Sequence, residues 1–270
     1  MTDAATVGAV DRVALDVDRL RGAVGARWPR VEVVGETAST NADLLADPAV
    51  PDRSVLVAEH QVAGRGRFER AWTSPPRAGL TFSALLRPEV PTQHWGWLPL
   101  LAGVALHEAV SANTGVRTAL KWPNDLLAAD DGGKLAGILA QTAGDAVVVG
   151  IGLNVDTSAA ELPVATATSL ALSGAPGVDR TDLLAAILTR LDARCAQWAD
   201  HGGDAAACAL VDAYREACAT LGRDVRVTLG TGAVVEGTAR DIDALGRLIV
   251  GTSDGERSIS AGDVEHVRPA

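Results

Sequence analysis

The chain has 270 residues, 47% of them hydrophobic and only 3% aromatic, and carries a net charge of −10. That length suits one large domain, or a large one with a small companion. The acidic balance argues against a protein that lives on nucleic acid, which would show a basic face. Cys195, Cys208 and Cys218 show no CxxC spacing, so neither a disulfide framework nor a zinc site is expected. Met1 to Val17 lacks the basic start and apolar run of a signal peptide, and no run approaches the length of a membrane span. A cytoplasmic protein with no membrane contact is expected.

In chain order, residues 1–30 form an Ala/Asp/Arg-rich extension with a helical pattern around Val13–Val24. Val31–Val34 reads as a strand, and Thr40 is placed to cap a helix over Asn41–Ala46. Ser54–Glu59 and Leu80–Leu86 are strand candidates, separated by a glycine- and arginine-rich loop from Gln61 to Trp72. Leu98–Val110 is a buried helix. From Ala119 to Val155, short apolar runs alternate with turn residues, predicting consecutive antiparallel strands, the clearest being Lys134–Gln141 and Ala146–Leu153. The unalternated Val147-Val148-Val149 predicts a strand covered on both faces. Helices return at Asp182–Ala199 and Ala205–Ala219, with Cys195 and Trp198 on the core face of the first. After Gly222 the pattern is purely β: Val225, Val227 and Leu229 alternate, Gly230–Gly232 turns the chain, and short runs follow at Val234–Ala239, Arg247–Val250 and Ser258–Ser260. Fifty residues of this kind suit a small barrel.

Of 24 Lys and Arg residues, only Lys121 and Lys134 are lysines, thirteen positions apart. A compact ammonium is not interchangeable with a planar guanidinium, and it suits a small, shifting anionic centre. Gly64-Arg65-Gly66-Arg67 to Trp72 interleaves arginines with glycines that allow close backbone approach to a ligand. It is not a GxGxxG fingerprint, and Gly132-Gly133-Lys134 is not a P-loop, because Leu135 stands where Ser or Thr should follow. Trp72 offers either a stacking surface for a base or a hydrophobic anchor. No nucleophile elbow, Cys–His pair or HExxH occurs. Chemistry by positioning and charge neutralisation, as in nucleotidyl transfer, is what remains.

Ser39-Thr40-Asn41, Gln61 with Gly64-Arg65-Gly66-Arg67, Lys121-Trp122-Pro123-Asn124-Asp125, Lys134-Leu135-Ala136-Gly137-Ile138-Leu139 and Gly150-Ile151-Gly152-Leu153-Asn154-Val155 resemble, in order, the motifs of bacterial biotin protein ligases. The resemblance implies an α/β (α+β) fold: a mixed-sheet catalytic domain over residues 31–221 and an SH3-like domain over 222–270. It implies that biotin is activated with ATP and Mg2+ to biotinyl-5′-AMP, then passed to a lysine of a biotin carboxyl carrier domain of an acyl-CoA carboxylase. Carried over residue by residue, Ser39, Thr40, Asn41, Gln61, Arg65, Gly66, Arg67, Lys134 and Gly137 bind biotin. Arg67, Arg70, Trp72, Lys121, Asn124 and Asn154 bind ATP, and Asp125 meets the metal. Lys134, Arg67 and Lys121 carry catalysis. The family loop often continues with Arg-Gly where this chain has Phe68-Glu69, which removes a positive charge and a flexible joint. The loop over 62–72 is expected to be disordered or open without ligand. Lipoate or octanoate ligases share the catalytic fold, but the arginine loop, the full Lys-Trp-Pro-Asn-Asp block and the terminal barrel favour biotin. Some relatives repress transcription or form a homodimer on binding ligand; only about thirty residues precede the first matching strand, so operator binding is not expected, and the sequence leaves dimerisation open.

Overall fold

A computed structural model describes residues 12–267; the acidic start at Asp3 and Asp11 lies outside them. α1 (Val17–Val24) is capped by the Asp16 carboxylate, which accepts from the Arg19 amide at 3.0 Å. There follow β1 (Arg30–Val34), α2 (Thr40–Ala46) and β2 (Ser54–Ala58). The cap of α2 is Ser39, whose hydroxyl accepts from Ala42 N, and not Thr40. Thr40 is already helical, and its side chain is spent elsewhere. The arginine-rich stretch is a small hairpin, β3 (Gly64–Arg65) and β4 (Ala71–Trp72), joined by a 3-10 turn at Arg67–Glu69.

β5 (Gly79–Leu86) and α3 (Leu98–Thr114) precede β6 (Thr118–Lys121), β7 (Asp125–Ala128), β8 (Lys134–Ala143) and β9 (Ala146–Asn154). The long α4 (Arg180–Asp200) and short α5 (Leu210–Ala217) close this part of the chain. The predicted helix over Ala205–Ala219 loses its first turn because Ala209 takes a left-handed conformation, φ 56°. Seven strands form one sheet in the order β1-β2-β5-β9-β8-β7-β6, parallel only between β1 and β2. The last strands, β10 (Asp224–Thr228), β11 (Val234–Ile242), β12 (Leu248–Thr252), β13 (Gly255–Ile259) and β14 (Asp263–His266), make a separate antiparallel sheet in the order β13-β12-β11-β10-β14. This is the expected mixed α/β fold with a small SH3-like partner.

Strand alternation sorts the large sheet into two faces. Leu80, Phe82, Ile138, Val147, Val149, Ile151 and Leu153 join Leu101, Leu106, Leu184 and Leu188 in the main core under α3 and α4. On the opposite face, Leu56, Leu85 and Val148 pack under Leu44 of α2. The three consecutive valines are thus covered on both sides, as their lack of alternation predicts. α2 covers only part of that second face; the rest is left for a cleft.

Tryptophans fasten the two sheets together. Trp97 Nε1 donates to Ala244 O at 2.9 Å and Trp122 Nε1 to Gly246 O at 3.2 Å, both in the β11–β12 turn. Gly96 permits this approach, since a Cβ there would lie 2.7 Å from Leu245 O. Trp28, Trp95 and Trp198 likewise donate to backbone carbonyls. A buried indole N–H without a partner costs roughly 1–3 kcal/mol, so five of the six tryptophans are satisfied by the fold itself. Trp72 is the exception.

Candidate active site

The open part of the second face is built on one row of residues crossing five strands. Lys121 pairs Asp125, Asp125 pairs Gly137, Gly137 pairs Gly152, and Gly152 pairs Thr81. Residues directly opposite across a sheet share a face and lie about 5 Å apart. The next row, Ser83–Gly150–Leu139, runs beside it on the same face. A cleft of about 1050 Å³ sits over these rows, and all fifteen sequence-derived candidates line it: Ser39, Thr40, Asn41, Gln61, Arg65, Gly66, Arg67, Arg70, Trp72, Lys121, Asn124, Asp125, Lys134, Gly137 and Asn154.

At one end of the cleft stands a neutral polar network. Gln61 Oε1 accepts from the Thr40 amide at 2.9 Å, which fixes the orientation of the Gln61 side chain. Ser83 Oγ donates to Asn41 Oδ1 at 2.6 Å, and the Asn41 Nδ2 donates to Gln141 Oε1 and Leu139 O. Ser83 has given its one proton to Asn41, so the 2.6 Å contact from Thr40 is donated by the Thr40 hydroxyl. Thr40 therefore keeps a lone pair to offer, and Gln61 keeps its Nε2 amide. Asn41, buried and fully bonded by the protein, positions this end. Ser83 organises the network, yet sequence reasoning missed it; a lone serine inside Leu80–Leu86 carries no signal of its own.

The glycines make room for the site's own side chains. A Cβ at Gly150 would lie 2.1 Å from Asn41 Oδ1, one at Gly152 2.3 Å from the Trp72 ring, and one at Gly64 2.3 Å from Gln61 Nε2. Gly64 thus admits Gln61 rather than serving ligand approach alone. Trp72 lies against the Gly137–Gly152 pair with its Nε1 buried and without a hydrogen-bond partner.

At the cationic end, Lys134 Nζ is 2.6 Å from Asp125 Oδ1. Asp125 is the one carboxylate of the row, and no cluster of three or more His, Cys, Asp or Glu side chains fit to hold a metal exists among the described residues. Magnesium binds typically through one or two carboxylates plus waters and substrate phosphates. The donor set therefore fits a metal arriving on a phosphate and not a resident ion. The Lys121 charge lies near Asp263 and His266 of the small sheet; beside it Trp122 N donates to Thr220 Oγ1 at 3.1 Å, and Thr220 contacts His266 Nε2 at 3.1 Å. Burial, with Lys121 and Arg223 nearby, drives the His266 pKa down to about 4. Asn124 and Asn154 donate their amides to Ile138 O and Thr168 O, which fixes them on the cleft wall. The wall also includes Arg223, Asp263 and His266, none of which the sequence singled out, because only the docking of the small sheet brings them here.

The arginine hairpin roofs the cleft. Arg67 Nη1 donates to Gly262 O at 3.0 Å, and Arg70 forms a two-pronged pair with Asp263, one arm 3.2 Å long. Burial lowers the Arg67 pKa from its ordinary value, against the pull of Asp125 and Asp263. The expected open loop is thus a structured hairpin, held from below by the small sheet.

Comparison with known proteins agrees with this geometry. Residues 31–157 match the Biotin/lipoate A/B protein ligase family and 220–267 the Biotin protein ligase C terminal domain. The biotin–[acetyl-CoA-carboxylase] ligase of Mycobacterium tuberculosis is 46% identical over 93% of this chain and 94% of its own length. The bifunctional ligase/repressor BirA of Bacillus spizizenii is 33% identical over 87% of this chain and 72% of its own. The solved biotin protein ligase from Aquifex aeolicus in complex with biotin and ATP superposes with a TM-score of 0.75 at 28% identity, over 89% of this chain and 99% of that one. The matched family models and these relatives define the chain as a ligase. The chain belongs to the biotin protein ligase family.

Proposed function

We infer that this chain is an ATP-dependent biotin protein ligase acting on the biotin carboxyl carrier domain of acyl-CoA carboxylases. The observation that carries the reading is the row Lys121–Asp125–Gly137–Gly152, with its polar pocket at one end and its cations at the other. Such a cleft suits a ligand with a neutral hydrogen-bonding head and an acidic tail. Ser39, Thr40 and Gln61 meet the ureido ring of biotin, with Thr40 accepting an N–H and Gln61 Nε2 donating to the carbonyl. A head group that left these partners unpaired would be penalised by roughly 1–3 kcal/mol per group. Arg65, Gly66 and Gly137 flank the path of the valeryl chain.

The tail carboxylate oxygen attacks the α-phosphorus of ATP, and the bond to pyrophosphate breaks, leaving biotinyl-5′-AMP. Lys134 stands where charge gathers in this step, between carboxylate and α-phosphate. Arg67 and Lys121 neutralise the phosphates, and Arg70, Trp72, Asn124 and Asn154 bound the nucleotide. Asp125 is the carboxylate that would hold magnesium carried on ATP, and the metal would supply charge neutralisation that lowers the repulsion between the phosphates and the incoming carboxylate. In the second step a carrier lysine amine attacks the acyl carbon, AMP leaves and an amide forms.

The catalytic part is assigned to residues 31–221 and the small partner to 222–270, a division supported by the matched ranges. The three cysteines are free and buried, in keeping with a reducing cytoplasm, and no described helix is long and apolar enough to cross a membrane.

Pyrophosphate release with biotin and ATP tests the reading. Lys134→Gln should slow it by about 10²–10³-fold, the size seen when one preorganised charge stabiliser is removed; a variant within about threefold of wild type, roughly half of one decade, removes Lys134 from its role. Lipoate in place of biotin should give no release.

A further inference from the structure

The arginine hairpin touches the small sheet at three points. Arg67 Nη1 reaches the Gly262 carbonyl at 3.0 Å, and both prongs of Arg70 reach the Asp263 carboxylate. At the tip, Phe68 lies against the β10–β11 turn, where a Cβ on Gly230 would be 3.9 Å from its ring. The Arg67 guanidinium sits 5.1 Å over that same ring. Phe68 adopts this place at φ 55°, a conformation that costs a side-chain-bearing residue energy and persists only when surroundings hold it.

The receiving surface is equally fixed. A Cβ on Gly262 would lie 2.4 Å from Val227 Cγ1, so only glycine brings this carbonyl so close to β10. Asp263 opens β14 and is in register with Thr228 of β10. It accepts from Arg70 with Lys121 and Arg67 also nearby, and the Arg70 guanidinium holds its carboxyl below the ordinary range. The hairpin closes on itself through Gly66 N donating to Arg70 O at 2.7 Å, so a pull on Arg70 moves the strand that carries Gly66 and Arg65.

We propose that Asp263 is a positioning residue of the adenylation site: through Arg70, and with Gly262 holding Arg67, the small C-terminal sheet clamps the arginine hairpin over the bound adenylate. The role rests on the ligase reading above. Asp263 acts through Arg70 and touches neither biotin nor nucleotide in this scheme. Phe68, which replaces a charged family residue, adds an apolar foot to the clamp and offsets the missing flexible joint. Closure is then a joint property of both sheets, and the tryptophan contacts that dock them become part of the same assembly.

The test uses the full chain and its Asp263→Asn and Asp263→Glu variants. Asn is nearly isosteric at this half-exposed position, and Glu keeps the charge. Amide exchange over residues 64–72 is followed without ligand, and the release rate of preformed biotinyl-5′-AMP is followed alongside it. Asp263→Asn should exchange faster in the hairpin and release adenylate about fivefold faster, the worth of one partly exposed charged pair. Biotin affinity without ATP should fall by less than adenylate retention does, because the nucleotide half lies under the clamped arginines, and Asp263→Glu should recover most of the loss. Unchanged hairpin exchange or unchanged adenylate release in Asp263→Asn overturns the proposal. So does an equal loss of biotin affinity, which marks a general structural role. Failure of the wild type to form adenylate would sink the ligase reading and this role with it, whereas the exchange comparison reports the clamp independently.

Discussion

Lys134 and Asp125 meet at 2.6 Å although they lie on neighbouring strands nine positions apart in sequence. Asp125 is paired in register with Lys121 on its other side, so one carboxylate sits between the only two lysines of the chain. The Lys134 ammonium paired to this carboxylate is poised for an incoming phosphate: the phosphate would draw the lysine, and magnesium carried on it would be drawn to Asp125. Asp125→Asn keeps the shape and removes the charge. The magnesium concentration for half-maximal pyrophosphate release should rise about tenfold, in line with one hydrogen bond to a charged group, while Lys134→Gln should leave that dependence alone. An unaltered magnesium curve in Asp125→Asn would assign the carboxylate to Lys134 only.

Gly152→Ala tests the floor of the cleft. The added methyl must push into the Trp72 ring, a contact of 2.3 Å with an indole wedged under the hairpin. Overpacking of this kind costs about 1–3 kcal/mol, and the ring is the mobile partner. A folded protein with a modest drop in melting temperature and a weakened nucleotide affinity is expected in calorimetry. Nucleotide binding equal to wild type would show that Trp72 has no part in it.

Trp72 differs from the other five tryptophans in leaving its buried N–H unmatched. Trp72→Phe removes that donor and keeps an aromatic ring. The ligand-free protein should gain about 1 kcal/mol in urea unfolding, because an unsatisfied group is gone, while adenylate formation falls. Loss of stability with full activity would contradict the assignment of Trp72 as a residue waiting for ligand.

His266 gives a pH signature. Its folded pKa of about 4 lies below the ordinary imidazole value of 6.5, so the unfolded chain binds the extra proton between those limits. Stability is complete above about 6.5 and falls as pH drops toward 4, by on the order of 1 kcal/mol once partial exposure is discounted. Unfolding of wild type and His266→Gln across this window should diverge, with the variant flatter. Parallel curves would mean that His266 titrates alike in both states.

Much of this was legible from residues alone, for identifiable reasons. Ser54–Ala58, Gly79–Leu86 and Ala146–Asn154 are mostly apolar or β-branched and read as strands, and the unalternated Val147-Val148-Val149 is covered on both faces. The two lysines stand out by their rarity and turn-rich neighbours, whereas Gly137 and the metal role of Asp125 come only from the family resemblance. Ser83 was invisible: one hydroxyl in an apolar strand reads as filler until Thr40 and Asn41 are seen to converge on it. Asp263 and His266 were missed because they reach the cleft wall only where β14 comes against Arg70 and Thr220, a docking that sequence spacing does not reveal. Phe68 read as a lost charge, whereas its ring lies beside Gly230.

The most direct measurement is intact mass of a purified biotin carboxyl carrier domain after incubation with the full chain, biotin and ATP. One added biotinyl group on the carrier, absent without ATP and absent with Lys134→Gln, is the expected result. A carrier of unchanged mass, with the enzyme folded and biotin bound, would contradict the central claim.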